Sequence, residues 1–278
     1  MTDPSQPLFL FGPGYSAKAL ARIWTGSVFG SVRSEKSARA LEQTSIQPVA
    51  VDDCAALAER VAGAHLVISA PPGEVGCPAL QALGASARNA ASVTYLSTTG
   101  VYGDLRGGWA MEWSTPQPQS QRAQRRYAAE QAWSEMTDAL AIVRLPGIYG
   151  PGRSAFDRLR AGKARRVIKP GQVFSRAHVD DIAAGLKAIL LAGQGGVFNL
   201  CDDEAAPPQT VIAHAADLLK ITPPPEIAFD QAELSAMGRS FYSECKRVSN
   251  ARLKSATEWR PIFPTYREGL KSILEAEA

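Results

Sequence analysis

Metal ligands are scarce in this chain: four cysteines and three histidines in 278 residues. Cys54, Cys77, Cys201 and Cys245 stand far apart, with no CxxC pair and no histidine at ligand spacing. That pattern excludes the common zinc and dithiol motifs, predicts reduced thiols and implies no bound metal. Long apolar runs are also missing, since no stretch approaches the roughly 18 residues of a membrane span. No charge of one sign dominates: 30 basic against 27 acidic residues give a net +3. Such a balance is too weak to point to nucleic acid or a membrane surface as partner. The first residues, Met1-Thr2-Asp3-Pro4-Ser5-Gln6-Pro7, lack the basic start and apolar stretch of a secretory signal. Taken together, these absences predict a cytoplasmic protein that handles a small molecule.

What is present is an ordinary globular composition, 45% hydrophobic and 21% charged, which excludes a disordered or fibrous chain. Short apolar runs alternate with Ala/Leu-rich stretches. Strands are expected at 8–11, 28–32, 47–51, 65–69, 93–97 and 140–144. Helices are expected between them at 16–24, 35–43, 54–62, 78–89 and 121–136, with Asp53 capping the third. This alternation, with its short connections, predicts an α/β fold, a doubly wound parallel sheet with helices on both faces. The pattern becomes irregular after Pro146. Helices are expected at 156–161, 179–191, 210–220 and 265–275, and a strand at 197–200. The later half reads as a smaller lobe laid against the first.

The first strand runs into Gly12-Pro13-Gly14-Tyr15-Ser16-Ala17 and then a helix. This is G-x-G-x-x-A in the strand–turn–helix setting that gives the motif meaning. Gly12 permits the tight turn, Gly14 lets the backbone approach a pyrophosphate, and Ala17 lets helix pack on strand. The first helical residues, Tyr15 and Ser16, belong to a helix N-terminus that offers unpaired N–H groups to phosphate. Some 20 residues on, an NAD-preferring site has an acid for the ribose 2′-hydroxyl. Here the second strand ends in Arg33-Ser34. Arg33 can pair with a 2′-phosphate and Ser34 can donate to it, so the expected cofactor is NADP(H) rather than NAD(H). The fourth strand ends at Ser69-Ala70-Pro71, and ligands of open α/β sheets sit at strand C-termini. Ala70 and Pro71 are therefore expected to flank the cofactor.

Ser97-Thr98-Thr99-Gly100-Val101-Tyr102-Gly103 resembles the S-[ST]-x-x-V-Y-G segment of the extended short-chain dehydrogenases/reductases, the NAD-dependent epimerase/dehydratase family. Arg144-Leu145-Pro146-Gly147-Ile148-Tyr149-Gly150-Pro151-Gly152 is similar to that family's R-P-x-x-V-Y-G-P-G segment. Ser175–Asp181 resembles its R-x-x-H-V-D-D segment, and 197–200 its late Y-N-L strand. The tail around Lys246–Lys254 and Tyr266–Leu270 looks like an atypical bacterial branch, the YeeZ-like proteins.

This resemblance implies a Rossmann dinucleotide-binding domain over 1–150, joined by 172–200. It implies a substrate-binding lobe over 151–171 and 201–278, with the active site between them and dimerisation through helices of the Rossmann sheet as an option. It implies an oxidoreductase or epimerase/dehydratase acting on a carbonyl or alcohol, such as a sugar-derived one. The family's Ser/Thr–Tyr–Lys constellation would place Thr98 as the hydroxyl that holds the substrate oxygen and Tyr127 as the general acid/base. Pro146 and Ile148 would offer backbone to the nicotinamide amide.

The family's lysine, one turn after the tyrosine, is Gln131, and no lysine occurs between Lys36 and Lys163. Gln131 can hydrogen-bond a ribose hydroxyl but brings no charge, whereas a free tyrosine titrates near 10 and proton transfer favours a pKa near the working pH. A dinucleotide-binding sensor or scaffold without turnover is the alternative that this departure leaves open. Arg122, Arg125 and Arg126 read as a solvated helix face, with Arg126 turned about 100° from Tyr127. His178 reads as a structural residue before a helix, and His65 and His214 sit in apolar contexts. Arg153, Arg176 and Tyr242 belong to the lobe that would cover the site. Trp109 and Trp113 lie in the loop before the tyrosine's helix, where they would cap a pocket or anchor the loop.

Overall fold

The computed structural model describes residues 3 and 5–277. Its first half alternates strand and helix: β1 (Leu8–Phe11), α1 (Tyr15–Ile23), β2 (Val28–Val32), α2 (Glu35–Arg39), β3 (Ile46–Ala50), α3 (Cys54–Val61), β4 (His65–Ile68), α4 (Pro78–Leu83) and β5 (Ser92–Thr98). Then come β6 (Trp109–Ala110), α5 (Gln121–Met136), β7 (Leu140–Leu145), β8 (Gly147–Tyr149), α6 (Ala155–Arg160), β9 (Arg166–Ile168) and β10 (Arg176–His178). The chain ends with α7 (Val179–Ala192), β11 (Gly196–Asn199), α8 (Pro208–Leu218), β12 (Glu226–Ala228), α9 (Ala236–Tyr242), β13 (Arg247–Val248), α10 (Ala251–Ala256) and α11 (Tyr266–Glu277).

Seven strands form one parallel sheet in the order β11-β7-β5-β4-β1-β2-β3. The side-chain period of two explains how its strands serve two cores at once. In β1, Leu8 and Leu10 enter a layer with Leu20, Val67, Leu96, Val143, Ile182 and Phe198. Phe9 and Phe11 face the opposite layer with Leu57, Leu66, Ile68, Tyr95 and Trp133. Strands buried on both faces read as continuous apolar runs, and β1, β4 and β7 are buried throughout. A separate core of Tyr149, Phe156, Val211, Tyr266, Leu270 and Ile273 belongs to the later half. Three parallel two-stranded pieces, β8–β10, β9–β12 and β6–β13, complete the strands.

Two expected helices are shorter than the sequence suggests. The one expected over 35–43 ends at Arg39 and continues as turns that bury Leu41. The one expected over 78–89 breaks at Gly84, whose φ of +49° leaves the helical region, and continues as a 3₁₀ helix over Gly84–Asn89. The three small strand pairs, α9 and α10 have no counterpart in the expected pattern. Among the described residues no helix is long and apolar enough to cross a membrane.

Candidate functional site

The C-terminal ends of β1, β4, β5 and β7 lie side by side. Gly12 ends β1 with φ +79°, and a Cβ there would come within 2.8 Å of Ala70 Cβ and 2.9 Å of Ala70 N. Only glycine fits both the conformation and the space. Its N–H donates to Ser31 Oγ at 2.8 Å, which ties the loop to β2. Ser69 and Ala70 extend β4 by donating their N–H groups to Phe11 O at 2.9 and 3.1 Å.

Gly14 differs from Gly12. It is exposed, with φ −85°, and the nearest atom to an added Cβ is Ser69 Oγ at 3.7 Å. Nothing in the protein forbids a side chain at Gly14. Gly14 caps α1 without a side-chain acceptor, and α1 carries no acid in its first turn. The N–H groups of Tyr15, Ser16 and Ala17 therefore lack helical partners. The Ser16 side chain is itself buried. The Tyr15 side chain turns away from the loop, and its hydroxyl donates to Pro151 O at 2.9 Å.

At the end of β2, Arg33 is exposed and its guanidinium makes no ion pair among the described residues. Ser34 caps α2: its Oγ accepts Ser37 N at 3.3 Å while Ser37 Oγ reaches back. The first acid after β2, Glu35, is committed to Arg39 one turn along. The geometry fits a dinucleotide: an open glycine, an unsatisfied helix N-terminus and an unpaired guanidinium stand together at the strand ends.

Thr98 ends β5, half-buried, and its Oγ1 accepts Gly100 N at 3.2 Å to start the 3₁₀ turn Thr99–Tyr102. β5 pairs Thr98 with Leu145, so Pro146 follows directly beside it, and Ile148 lies half-buried on β8. Pro71 is exposed at the start of the loop after β4. Tyr127 is half-buried and packs against the cluster of Val101, Tyr102, Ala110 and Val248. Its hydroxyl accepts the Gln131 side-chain amide at 3.0 Å. Thr98 and Tyr127 are not hydrogen-bonded to each other.

The arginine trio does not form the solvated helix face that the sequence suggests. Arg122 is exposed, but Arg125 pairs with Glu74 at 2.9 Å, and Arg126 is half-buried. Arg126 Nη1 donates to Leu96 O at 2.6 Å and lies 3.4 Å from Tyr95 OH, with the guanidinium over the Tyr95 ring. Burial pushes the Tyr95 phenol up to about 12, against the opposing pull of Arg126. The helix turn that separates Arg126 from Tyr127 aims Arg126 at the sheet on the β4 side.

Directly below lies a network that sequence reasoning missed. Arg144 donates to Glu130 through Nη2 at 2.7 Å and Nε at 3.1 Å, and Ser97 Oγ also donates to Glu130. Both charged side chains are buried. The Arg144 guanidinium stacks 4.7 Å over Tyr102, whose hydroxyl donates to Asn199 Oδ1 at 2.7 Å. This bidentate pair locks α5 onto β5 and β7 and so fixes where Arg126 and Tyr127 stand. The available signal was an arginine inside an otherwise apolar strand, which requires a buried partner.

No histidine stands at the crevice. His178 caps α7 through Asp180 N at 3.2 Å, with its ring centroid 4.4 Å from that of Phe263. His65 bonds Ser92 at 2.7 Å, and His214 lies edge-on to Tyr266. Trp109 and Trp113 are exposed.

No family model matches the chain. A solved structure of a functionally unknown conserved protein from Silicibacter pomeroyi is 42% identical, covers 98% of this chain and 100% of its own, and superposes with a TM-score of 0.91. Human epimerase family protein SDR39U1, solved with NADPH, shares the fold at a TM-score of 0.78 and 17% identity, over 97% of this chain and 99% of its own. A curated relative, the 3-diazoavenalumate denitrifying reductase of a Streptomyces species, is 29% identical over 137 residues, 46% of this chain. The chain matches 45% of that relative's length. The glycine loop, the S-T-T-G-V-Y-G and R-L-P-G-I-Y-G-P-G segments and this sheet order agree with one another: the chain has the fold of the extended short-chain dehydrogenases/reductases.

Proposed function

We propose that this protein is an NADP(H)-dependent oxidoreductase that reduces a small electrophile, a carbonyl in the first instance, in the crevice between the sheet and the later half of the chain. The nicotinamide-dependent oxidoreductase/epimerase class is supported by the likeness to the reductase and to the epimerase fold; the preference for NADP(H) rests on one observation, the unpaired Arg33 guanidinium beside a helix-capping Ser34 with Glu35 already committed to Arg39. A bound dinucleotide would supply a hydride. This chain's residues would do the rest. Gly12, Gly14 and the α1 N-terminus, with Tyr15 and Ser16 in its first turn, would seat the pyrophosphate. Ala70 and Pro71 would flank the cofactor, and the backbone of Pro146 and Ile148 would meet the carboxamide. Thr98 would hold the substrate oxygen and Tyr127 would donate the proton. Residues 151–171 and 201–278 would form the substrate lobe, and the Rossmann unit would comprise 1–150 and 172–200.

The test is a fluorescence titration with NADPH and NADH in parallel, followed by a carbonyl panel read by loss of NADPH absorbance. Selective NADPH binding with turnover supports the reading; equal binding of both dinucleotides removes the NADP(H) preference.

Gln131 supports a second reading, a dinucleotide-binding sensor. Its amide neutralises nothing, yet it occupies the Tyr127 hydroxyl at 3.0 Å. Tight NADPH binding with no turnover across the panel favours this reading, and turnover abolished by Tyr127→Phe excludes it.

A further inference from the structure

The Gln131 substitution leaves the crevice without the family's cation after Tyr127. The fold supplies another one residue before it. The last β4–β5 pair joins Ile68 to Tyr95, so Leu96 lies one step beyond the end of β4. At that point the neighbouring chain is Ser69–Ala70, which abuts Gly12. Arg126 Nη1 is held there by Leu96 O at 2.6 Å. The guanidinium thus sits at the mouth between two strand ends, two strands from the glycine loop, or roughly 10 Å at sheet spacing. That is the direction in which a dinucleotide seated on α1 continues toward its second ribose.

A guanidinium has five N–H donors. Leu96 and Tyr95 engage only Nη1. Among the described residues Nε and Nη2 make no hydrogen bond, and neither is a buried unpaired atom. Arg125, the adjacent cation, is already neutralised by Glu74. The Glu130–Arg144 pair one turn further along α5 fixes the helix rigidly enough for the guanidinium to be preorganised.

We propose that Arg126 is the cation that holds the nicotinamide-side ribose hydroxyls of the dinucleotide, with its charge serving cofactor binding and not the acidity of Tyr127. Tyr127 faces the other way, into the Val101/Tyr102/Val248 cluster, and Gln131 is bound to it. Holding the ribose and touching the tyrosine hydroxyl, both tasks of one lysine in the family the sequence resembles, are therefore divided here between Arg126 and Gln131. This inference rests on the proposed dinucleotide site.

Two probes separate the possibilities: NADPH, which carries the second ribose, and 2′,5′-ADP, which lacks it. Arg126→Met is expected to weaken NADPH binding about 10–100-fold, the range for a lost charged hydrogen bond. It should leave 2′,5′-ADP binding unchanged within about twofold, and Arg126→Lys should recover most of the NADPH affinity. Gln131→Ala should change NADPH binding far less than Arg126→Met does. Unchanged NADPH affinity in Arg126→Met overturns the proposal. Equal loss of both probes also overturns it, because the residue then acts only through the fold. Wild-type protein that binds neither probe would overturn the dinucleotide site itself, a result distinct from either.

Discussion

Gln131 donates its side-chain amide to the Tyr127 hydroxyl across one turn of α5, at 3.0 Å. The phenol oxygen therefore accepts from a neutral group and keeps its own proton available to donate. Replacing that neutral donor by a cation should change the working pH of the site. Gln131→Lys is expected to move the alkaline limb of the pH–rate profile to lower pH, while Tyr127→Phe costs about 10²–10⁴ in kcat. Steady-state rates from pH 6 to 10 check both; an unmoved limb would remove Tyr127 from proton transfer.

The two loop glycines should fail differently. Gly12→Ala forces a positive φ on a side chain that meets Ala70. It is expected to lower thermal stability and abolish binding together. Gly14→Ala makes only ordinary van der Waals contacts at an ordinary φ. It should leave the melting temperature nearly unchanged and still weaken NADPH by tenfold or more, because the added methyl stands where the proposed site would seat the pyrophosphate. Thermal melts beside titrations separate the two.

Arg33→Ala should lower NADPH affinity about 10–100-fold, as for a lost charged contact, and leave NADH affinity nearly unchanged. The ratio of the two dissociation constants is the readout. Equal losses for both cofactors would assign Arg33 to adenine stacking instead of phosphate recognition.

Breaking the buried pair below the site should be costly. Arg144→Met leaves the Glu130 carboxylate buried without its bidentate partner, a loss of about 3–5 kcal/mol. The double variant Arg144→Met/Glu130→Leu should recover part of that stability, since no charge is then stranded. Urea denaturation of the single and double variants measures the difference.

Burial raises the Asp202 carboxyl to about 8, against the pull of Arg176. The folded protein therefore keeps a proton that the unfolded chain has released, from the ordinary value of 3.8 upward. Stability must fall as pH rises across that window and level off above 8. Asp202→Asn cannot ionise and escapes the fall. Its advantage over wild type should be small at pH 5 and reach the order of 2–5 kcal/mol at pH 9. A gap that does not widen with pH would refute the assignment.

The centre of the sheet was legible because β1, β4 and β7 are buried on both faces and read as largely apolar runs, whereas β3, exposed at Gln47, Pro48 and Ala50, carries a weaker pattern. The glycine loop was legible for a related reason: Gly12 answers to a local backbone demand that any such turn makes. The two- and three-residue strands Trp109–Ala110, Arg166–Ile168, Glu226–Ala228 and Arg247–Val248 carry no periodicity, because their pairing is set by distant chain and not by their own residues. The same holds in the site. Arg126 and Tyr127 differ by one position in sequence, yet one turns to the β4–β5 mouth and the other to the Val101 cluster. Only the packing of α5, fixed by Glu130 against Arg144 and Ser97, decides which does which.

Tyr15 sits in the loop expected to meet the cofactor, yet its hydroxyl is spent on Pro151, 136 residues further along the chain. That bond makes the loop and the start of the covering segment a single mechanical part. Any adjustment of the glycine loop around a ligand must carry Pro151 with it or break the tether. In the proposed reaction, a dinucleotide seated on that loop would therefore act on the position of Pro151, and such coupling would favour addition of the dinucleotide before the substrate.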